Sequence, residues 1–175
     1  ALALADIAMI CEAAVIATAM TIDAAKATIS ILDDRIHAVR GQSGQRTVAA
    51  SIREHLRGST IINSHLDDDP RVQDPYSFRC APQVLGAAIE SIARVTGTIS
   101  AELGAVTDNP LVFPEDNEII SGGNFHGMSL AIAMDELRMS LCHIANIADR
   151  RLEWILSARC IHNDLPSFMA CDAGV

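Results

Sequence analysis

Apolar residues recur along this chain at helical spacing, and the breaks in that spacing divide it into segments. From Leu2 to about Ile31 the chain is rich in Ala, Ile and Met and holds no Gly or Pro, which predicts one long helix fraying near Asp33-Asp34. Gly41-Gln42-Ser43-Gly44 has turn composition. Val48, Ile52 and Leu56 then step by four up to Gly58, predicting a second, amphipathic helix. The polar run His65-Leu66-Asp67-Asp68-Asp69-Pro70, within Ile61 to Val72, predicts a loop. Beyond it, Leu85, Ile89, Ile92, Val95, Ile99 and Leu103 mark a long helix with one buried stripe. Leu130, Met134, Leu137, Leu141, Ile144, Ala148 and Ile155 mark another. Between them, Leu111-Val112-Phe113, a Pro114-Glu115-Asp116-Asn117 turn and Ile119-Ile120 predict a small β-hairpin. Long striped helices with almost no other strand signal predict an all-α bundle.

The apolar opening, Ala1 to Met20, is interrupted by Asp6 and Glu12 and follows no basic stretch, so it predicts a buried helix rather than a membrane span or signal sequence. The pattern begins without a cap and stops at Ala173-Gly174-Val175 without a terminal signal. The expectation is therefore that residues 1–175 are a single internal segment of a longer protein.

Composition changes the picture in three ways. Acidic residues outnumber basic ones 22 to 13, the net charge is −9 and no Lys/Arg cluster offsets it, which argues against a nucleic-acid partner. Cys11, Cys80, Cys142, Cys160 and Cys171 are odd in number and scattered, and predict reduced core thiols of a cytoplasmic protein rather than disulfides or a zinc site. His37, His55, His65, His143 and His162 share no ligand spacing, and Asp67-Asp68-Asp69 reads first as a solvated loop and only second as a cation site, so no metal is predicted.

Two segments carry candidate chemistry. In Gln73-Asp74-Pro75-Tyr76-Ser77-Phe78-Arg79, Asp74 and Pro75 predict an N-cap and a first helical position. Tyr76 and Arg79, three apart, then share a face. A guanidinium grips a carboxylate with two parallel charge-assisted bonds, and a phenol donates or relays a proton, so the pair suits an amino-acid carboxylate. An interfacial tyrosine with a salt-bridged arginine fits the spacing equally. In Ser121-Gly122-Gly123-Asn124-Phe125-His126-Gly127, three glycines allow close backbone approach ahead of a long helix, without matching a nucleotide-phosphate motif. The plain alternative is a tight turn with Phe125 in the core and His126 as a cap.

Taken together and in this order, these segments and Thr107-Asp108-Asn109-Pro110-Leu111 resemble the histidine/aromatic amino-acid lyase family, the ammonia-lyases and aminomutases that use a methylidene-imidazolone electrophile. Asp34-Arg35-Ile36-His37-Ala38-Val39-Arg40 ahead of Gly44-Gln45, and Asp149-Arg150-Arg151 ahead of Leu165-Pro166-Ser167-Phe168, extend the resemblance over nearly the whole chain. It implies an aspartase/ammonia-lyase-like helical bundle, a homotetramer and active sites that mix residues of several subunits. Arg79 would bind the substrate carboxylate, Tyr76 and Gln73 would lie beside the electrophile and the substrate, and Phe125 would contact the cofactor or the substrate ring, with Asn124 and His126 in support. His126 leans toward histidine or tyrosine lyases and bacterial aminomutases. Histidine is the first-choice substrate, and tyrosine or phenylalanine lyase and 2,3-aminomutase are the alternatives. The family cyclises an Ala-Ser-Gly tripeptide into its electrophile, and these 175 residues contain none. A non-catalytic helical scaffold therefore remains a reading of a different class.

Overall fold

The computed structural model describes residues 2–65, 71–157 and 166–170. Its described elements, in chain order, are α1 (Leu2–Ala24), a 3-10 turn (Ile29–Leu32), α2 (Asp34–Arg40), α3 (Ser43–His55), α4 (Thr60–Asn63), α5 (Tyr76–Arg79), α6 (Ala81–Leu103), β1 (Leu111–Phe113), β2 (Glu118–Ile120), α7 (Met128–Leu156) and a 3-10 turn (Ser167–Met169). This is the predicted all-α bundle with its hairpin, which pairs antiparallel with Leu111 opposite Ile120 and Phe113 opposite Glu118.

The two long helices pack antiparallel: Ser91 contacts Ser140, Arg94 pairs with Glu136, and Arg151 reaches back to Ser77. Their buried seams are Ala81, Leu85, Ala88, Ile92, Val95 and Ile99 on α6, and Ala133, Leu137, Ser140, Ile144, Ile147 and Arg151 on α7. Both step by four and three, the spacing that lays two helices nearly parallel or antiparallel along their length. The predicted stripes overran this seam. Leu103, Leu130, Met134 and Ala148 are exposed, while Ser140 and Arg151 occupy positions an apolar rule passes over.

Helix α1 stops seven residues before the predicted Ile31. The amide of Ala27 bonds to Ile22 O at 2.9 Å and that of Lys26 to Asp23 O at 3.0 Å, closing a Schellman-type cap with Lys26 at φ 50°. Lysine here takes the place glycine usually holds, so composition gave no stop signal. Nor is α1 buried all round as expected. Ile7, Val15, Thr18, Ala19 and Ile22 face the core, and Leu2, Met9, Ile10 and Met20 are exposed. By length and apolar composition α1 would pass as a membrane span, but its inner face packs on the core formed with α3, α6 and α7.

Two short helices went unpredicted because side-chain caps define them rather than apolar period. Asp33 accepts the Arg35 amide at 2.9 Å to start α2, and Gly41, at φ 75°, ends it. Ser59 accepts the amides of Ile61 and Ile62 to start α4, which overlaps the start of the 61–72 segment and ends before the polar run read as a loop. Buried His37 is a satisfied polar group: one ring nitrogen lies 3.0 Å from Ile31 O and the other 2.8 Å from Gln45 Nε2. Of the expected core thiols, Cys11 packs against the core, and none of the described ones is fully buried. Cys11 and Cys80 are half-buried and Cys142 is exposed. Cys160, Cys171, His162 and the Asp67-Asp68-Asp69 run lie outside the described residues.

Helix α3 crosses α6 backbone to backbone at Gly44 and Gly86. One turn further along α6, Glu90 accepts the Gly44 amide at 2.6 Å and the Ser43 hydroxyl, capping the start of α3 from outside. Those donors, the Ser43 hydroxyl foremost, hold the Glu90 carboxyl below its usual value. The unfolded chain binds this proton more readily than the folded one. The Glu90 contribution is thus fully present above the usual glutamate range, about 4.3, and is lost as pH falls through the lowered folded value. Glu90→Gln should flatten the acid limb of a thermal-midpoint versus pH curve, and an unchanged limb would remove Glu90 from that role.

Candidate active site

The sequence motif around Tyr76 folds into a single helical turn packed on α6 and α7. Pro75 holds the N-cap position, and α5 begins at Tyr76. Asp74 is therefore not the N-cap that its spacing suggested. Its side chain turns away from α5 and accepts the Thr28 amide at 2.7 Å, with Arg71 Nη1 at 3.2 Å from the other oxygen. This follows from its burial: a carboxylate 3% exposed needs charge and hydrogen-bond partners.

The inner face of α5 anchors it. Phe78 is fully buried and meets Trp154 of α7 edge to face, centroids 5.0 Å apart and planes at 77°. Arg151, 2% exposed, points a terminal nitrogen at Ser77 O, 3.5 Å away, and burial pulls its pKa down to about 10. The outer face carries the candidate chemistry. Tyr76 is 55% exposed and Gln73 is exposed on the preceding bend. Arg79 is half-buried, its Nε donating to Asp74 O at 2.7 Å. Nearby, Arg150 pairs with Asp149 at 2.5 Å.

The second motif sits elsewhere. Asn124, Phe125 and His126 join Thr107, Leu103 and Leu130 around a pocket of about 330 Å³ at the far end of the α6–α7 pair. Asn109 ties the two loops of this end together, its side-chain oxygen accepting the Ser121 hydroxyl at 3.0 Å and the Gly122 amide at 2.7 Å. Phe125 is 64% exposed, so it is not the core residue of the plain alternative. His126 is exposed too, and α7 has Gly127 at its N-cap position with no side-chain cap.

Tyr76 and Phe125 thus lie at opposite ends of the α6–α7 pair. Met128 to Arg151 of α7 separates them, about 35 Å at 1.5 Å per residue. Gln73, Tyr76 and Arg79 are brought together on one surface, and Asn124, Phe125 and His126 on another. Among the described residues no group of three or more His, Cys, Asp or Glu is placed to hold a metal. Sequence reasoning missed the roles of Asp74 and Arg71 as tethers and of Arg151 as a buried brace. The available signal for Arg151 was an arginine at the next seam position after Ile144 and Ile147.

Comparison with known proteins agrees with this fold. The family model described as aromatic amino acid lyase matches residues 1–175. Histidine ammonia-lyase of Burkholderia lata is 44% identical over 93% of this chain and 31% of its own length. That of Treponema denticola is 43% identical over all of this chain and 34% of its own. The chain thus spans about a third of the length of the curated relatives it matches. Among solved structures, histidine ammonia-lyase from Trypanosoma cruzi superposes with a TM-score of 0.80 at 38% identity, covering 95% of this chain and 30% of that one. Phenylalanine aminomutase of Pantoea agglomerans gives 0.89 at 26% identity, covering 99% and 36%. With its whole length matched, its fold shared and its two motifs on exposed surfaces, the chain belongs to the aromatic amino acid lyase family.

Proposed function

We propose that this chain is the part of an ammonia-lyase that grips an L-α-amino acid, histidine first, while ammonia is eliminated to leave an α,β-unsaturated acid. The observation that carries the reading is the braced turn α5, which presents Tyr76 and Arg79 outward from a buried, aromatic-anchored base. Arg79 holds the substrate carboxylate. Tyr76 donates or relays a proton beside the reacting centre, and Gln73 lines the same surface. The C–N bond breaks with loss of ammonia, and a β-proton leaves to a base, which a fixed carboxylate helps to align. The electrophile that turns the amine into a leaving group is the methylidene-imidazolone. No Ala-Ser-Gly for it occurs among these residues, and the exposed side chains of Gln73, Tyr76 and Phe125 fit the flank of such a ring rather than its source.

A site needing both Tyr76 and Phe125 cannot close within one copy at about 35 Å separation, which supports sites shared between copies, as in the homotetramer that the family resemblance implies. So does an open groove of about 770 Å³ between α6 and α7, lined by Val84, Ala87, Ile132 and Met139. The buried side-chain oxygen of Gln83, on the same groove, has no hydrogen-bond partner among the described residues. A cytoplasmic location is proposed with this reading, on the free thiols of Cys11, Cys80 and Cys142. Sequence identity favours histidine over the aminomutase reading. Fold overlap does not separate the two.

The test is turnover by the full-length enzyme with histidine, tyrosine and phenylalanine, followed by ultraviolet absorbance of the unsaturated acid. Histidine is expected to react best, and the 175-residue chain alone to give nothing. Mixed tetramers of an Arg79→Ala and a Phe125→Ala variant should recover activity that neither has alone. Turnover by the isolated chain would overturn the reading, and an inert full-length protein would favour the scaffold.

A further inference from the structure

We propose that Asp74 is the positioning residue that aims the Arg79 guanidinium, so that Arg79 meets the substrate carboxylate end-on through Nη1 and Nη2. This rests on the reading of Arg79 as the carboxylate grip. Two halves of Asp74 carry the inference. Its backbone carbonyl accepts Arg79 Nε at 2.7 Å. Its buried carboxylate accepts the Thr28 amide at 2.7 Å and pairs with Arg71 at 3.2 Å. Arg71 in turn donates to Ala25 O at 3.0 Å and to the Lys26 carbonyl. The carbonyl that aims Arg79 is therefore fixed, through one residue, to the corner where α1 ends.

The geometry of the guanidinium turns this fixing into a choice of edge. An arginine offers a carboxylate either the Nε/Nη side or the Nη1/Nη2 end. Asp74 O occupies Nε, which removes the side-on mode. Among the described residues the Nη atoms of Arg79 make no hydrogen bond or ion pair. The end-on edge is thus the one left for a ligand. Replacing the Asp74 side chain leaves the carbonyl in the chain but releases its anchor, and the fork loses its fixed aim.

In the full-length enzyme, Asp74→Ala should raise KM about 10- to 100-fold, the scale of losing a charge-assisted hydrogen bond, with a far smaller change in kcat. Asp74→Asn, which keeps an oxygen for the Thr28 amide and loses the charge facing Arg71, should fall between. The decisive readout is a pair of inhibitors, the unreactive substrate analogue and its decarboxylated amine. Both variants should weaken the acid and leave the amine unchanged, because only the acid meets Arg79. Equal weakening of both, or an unchanged KM in a folded variant, overturns the proposal and leaves Asp74 a fold staple. If Asp74→Ala does not fold, Asp74→Asn carries the same comparison. Should the wild type show no turnover, the lyase reading fails, and calorimetric binding of acid and amine still decides this one. A wild type that does not prefer the acid overturns it.

Discussion

Replacing Tyr76 with phenylalanine in the full-length enzyme should lower kcat by about 10²- to 10⁴-fold, the range for losing a positioned proton-transfer group. The thermal midpoint should barely move. Stability is insulated because Tyr76 is 55% exposed and its hydroxyl makes no hydrogen bond among the described residues, so truncation strands no buried partner. A stranded partner would cost about 1–3 kcal/mol. The anchoring of α5 does not pass through Tyr76 either: Phe78 against Trp154 and Arg151 on Ser77 O hold the turn from its inner face. A folded variant with collapsed kcat supports the site. A destabilised variant with normal kcat per folded molecule refutes it. If both fall, the cofactor absorbance separates a failure to form the electrophile from a failure to use it.

The sequence made the long elements legible because each buries one stripe over many turns, as Leu85, Ile92, Val95 and Ile99 do on α6. The hairpin was equally readable, since a Pro-Glu-Asp-Asn turn separates two short apolar runs. Features set by a single residue's backbone or by one side chain's choice of partner were not. Lys26 ends α1 in a left-handed conformation, and Ser59 caps a helix only four residues long. Asp74 shows why local reasoning fails at the site: Asp-Pro before a helix is a sound cap signal, but Thr28, 46 residues earlier, offers an amide that takes the carboxylate instead. The helical turn that carries Tyr76 and Arg79 was legible, with Tyr76 exposed and Arg79 half-buried on it. The distance from Phe125 could not be read from motif order, because it depends on α6 and α7 lying antiparallel.

Gly86→Ala should cost about 3 kcal/mol, the upper end of ordinary overpacking. At this chain length that lowers the thermal midpoint by about 6–12 °C. A methyl group at Gly86 would lie under 3.0 Å from the amide nitrogen and Cα of Gln45 and from the carbonyl carbon of Gly44, and one at Gly44 would strike the Gly86 carbonyl. These are backbone atoms of a facing helix, so no rotamer change relieves the clash and α3 must move off α6. That separation pulls on the Glu90 bonds to Ser43 and Gly44 and loosens fully buried Ile52 and Leu85. The helical cost of glycine itself works the other way, since alanine is favoured there by about 0.5–1 kcal/mol. Gly97, on the same helix with nothing within 4 Å of its would-be methyl, isolates that term. Gly97→Ala should therefore melt at or slightly above the parent, and Gly86→Ala well below it, at one fixed protein concentration. Equal midpoints for the two variants would mean that α3 and α6 do not cross in contact. Since α6 starts two residues after Arg79, Gly86→Ala should also raise KM more than Gly97→Ala does, because the turn proposed to grip the substrate moves with the helix it leads into.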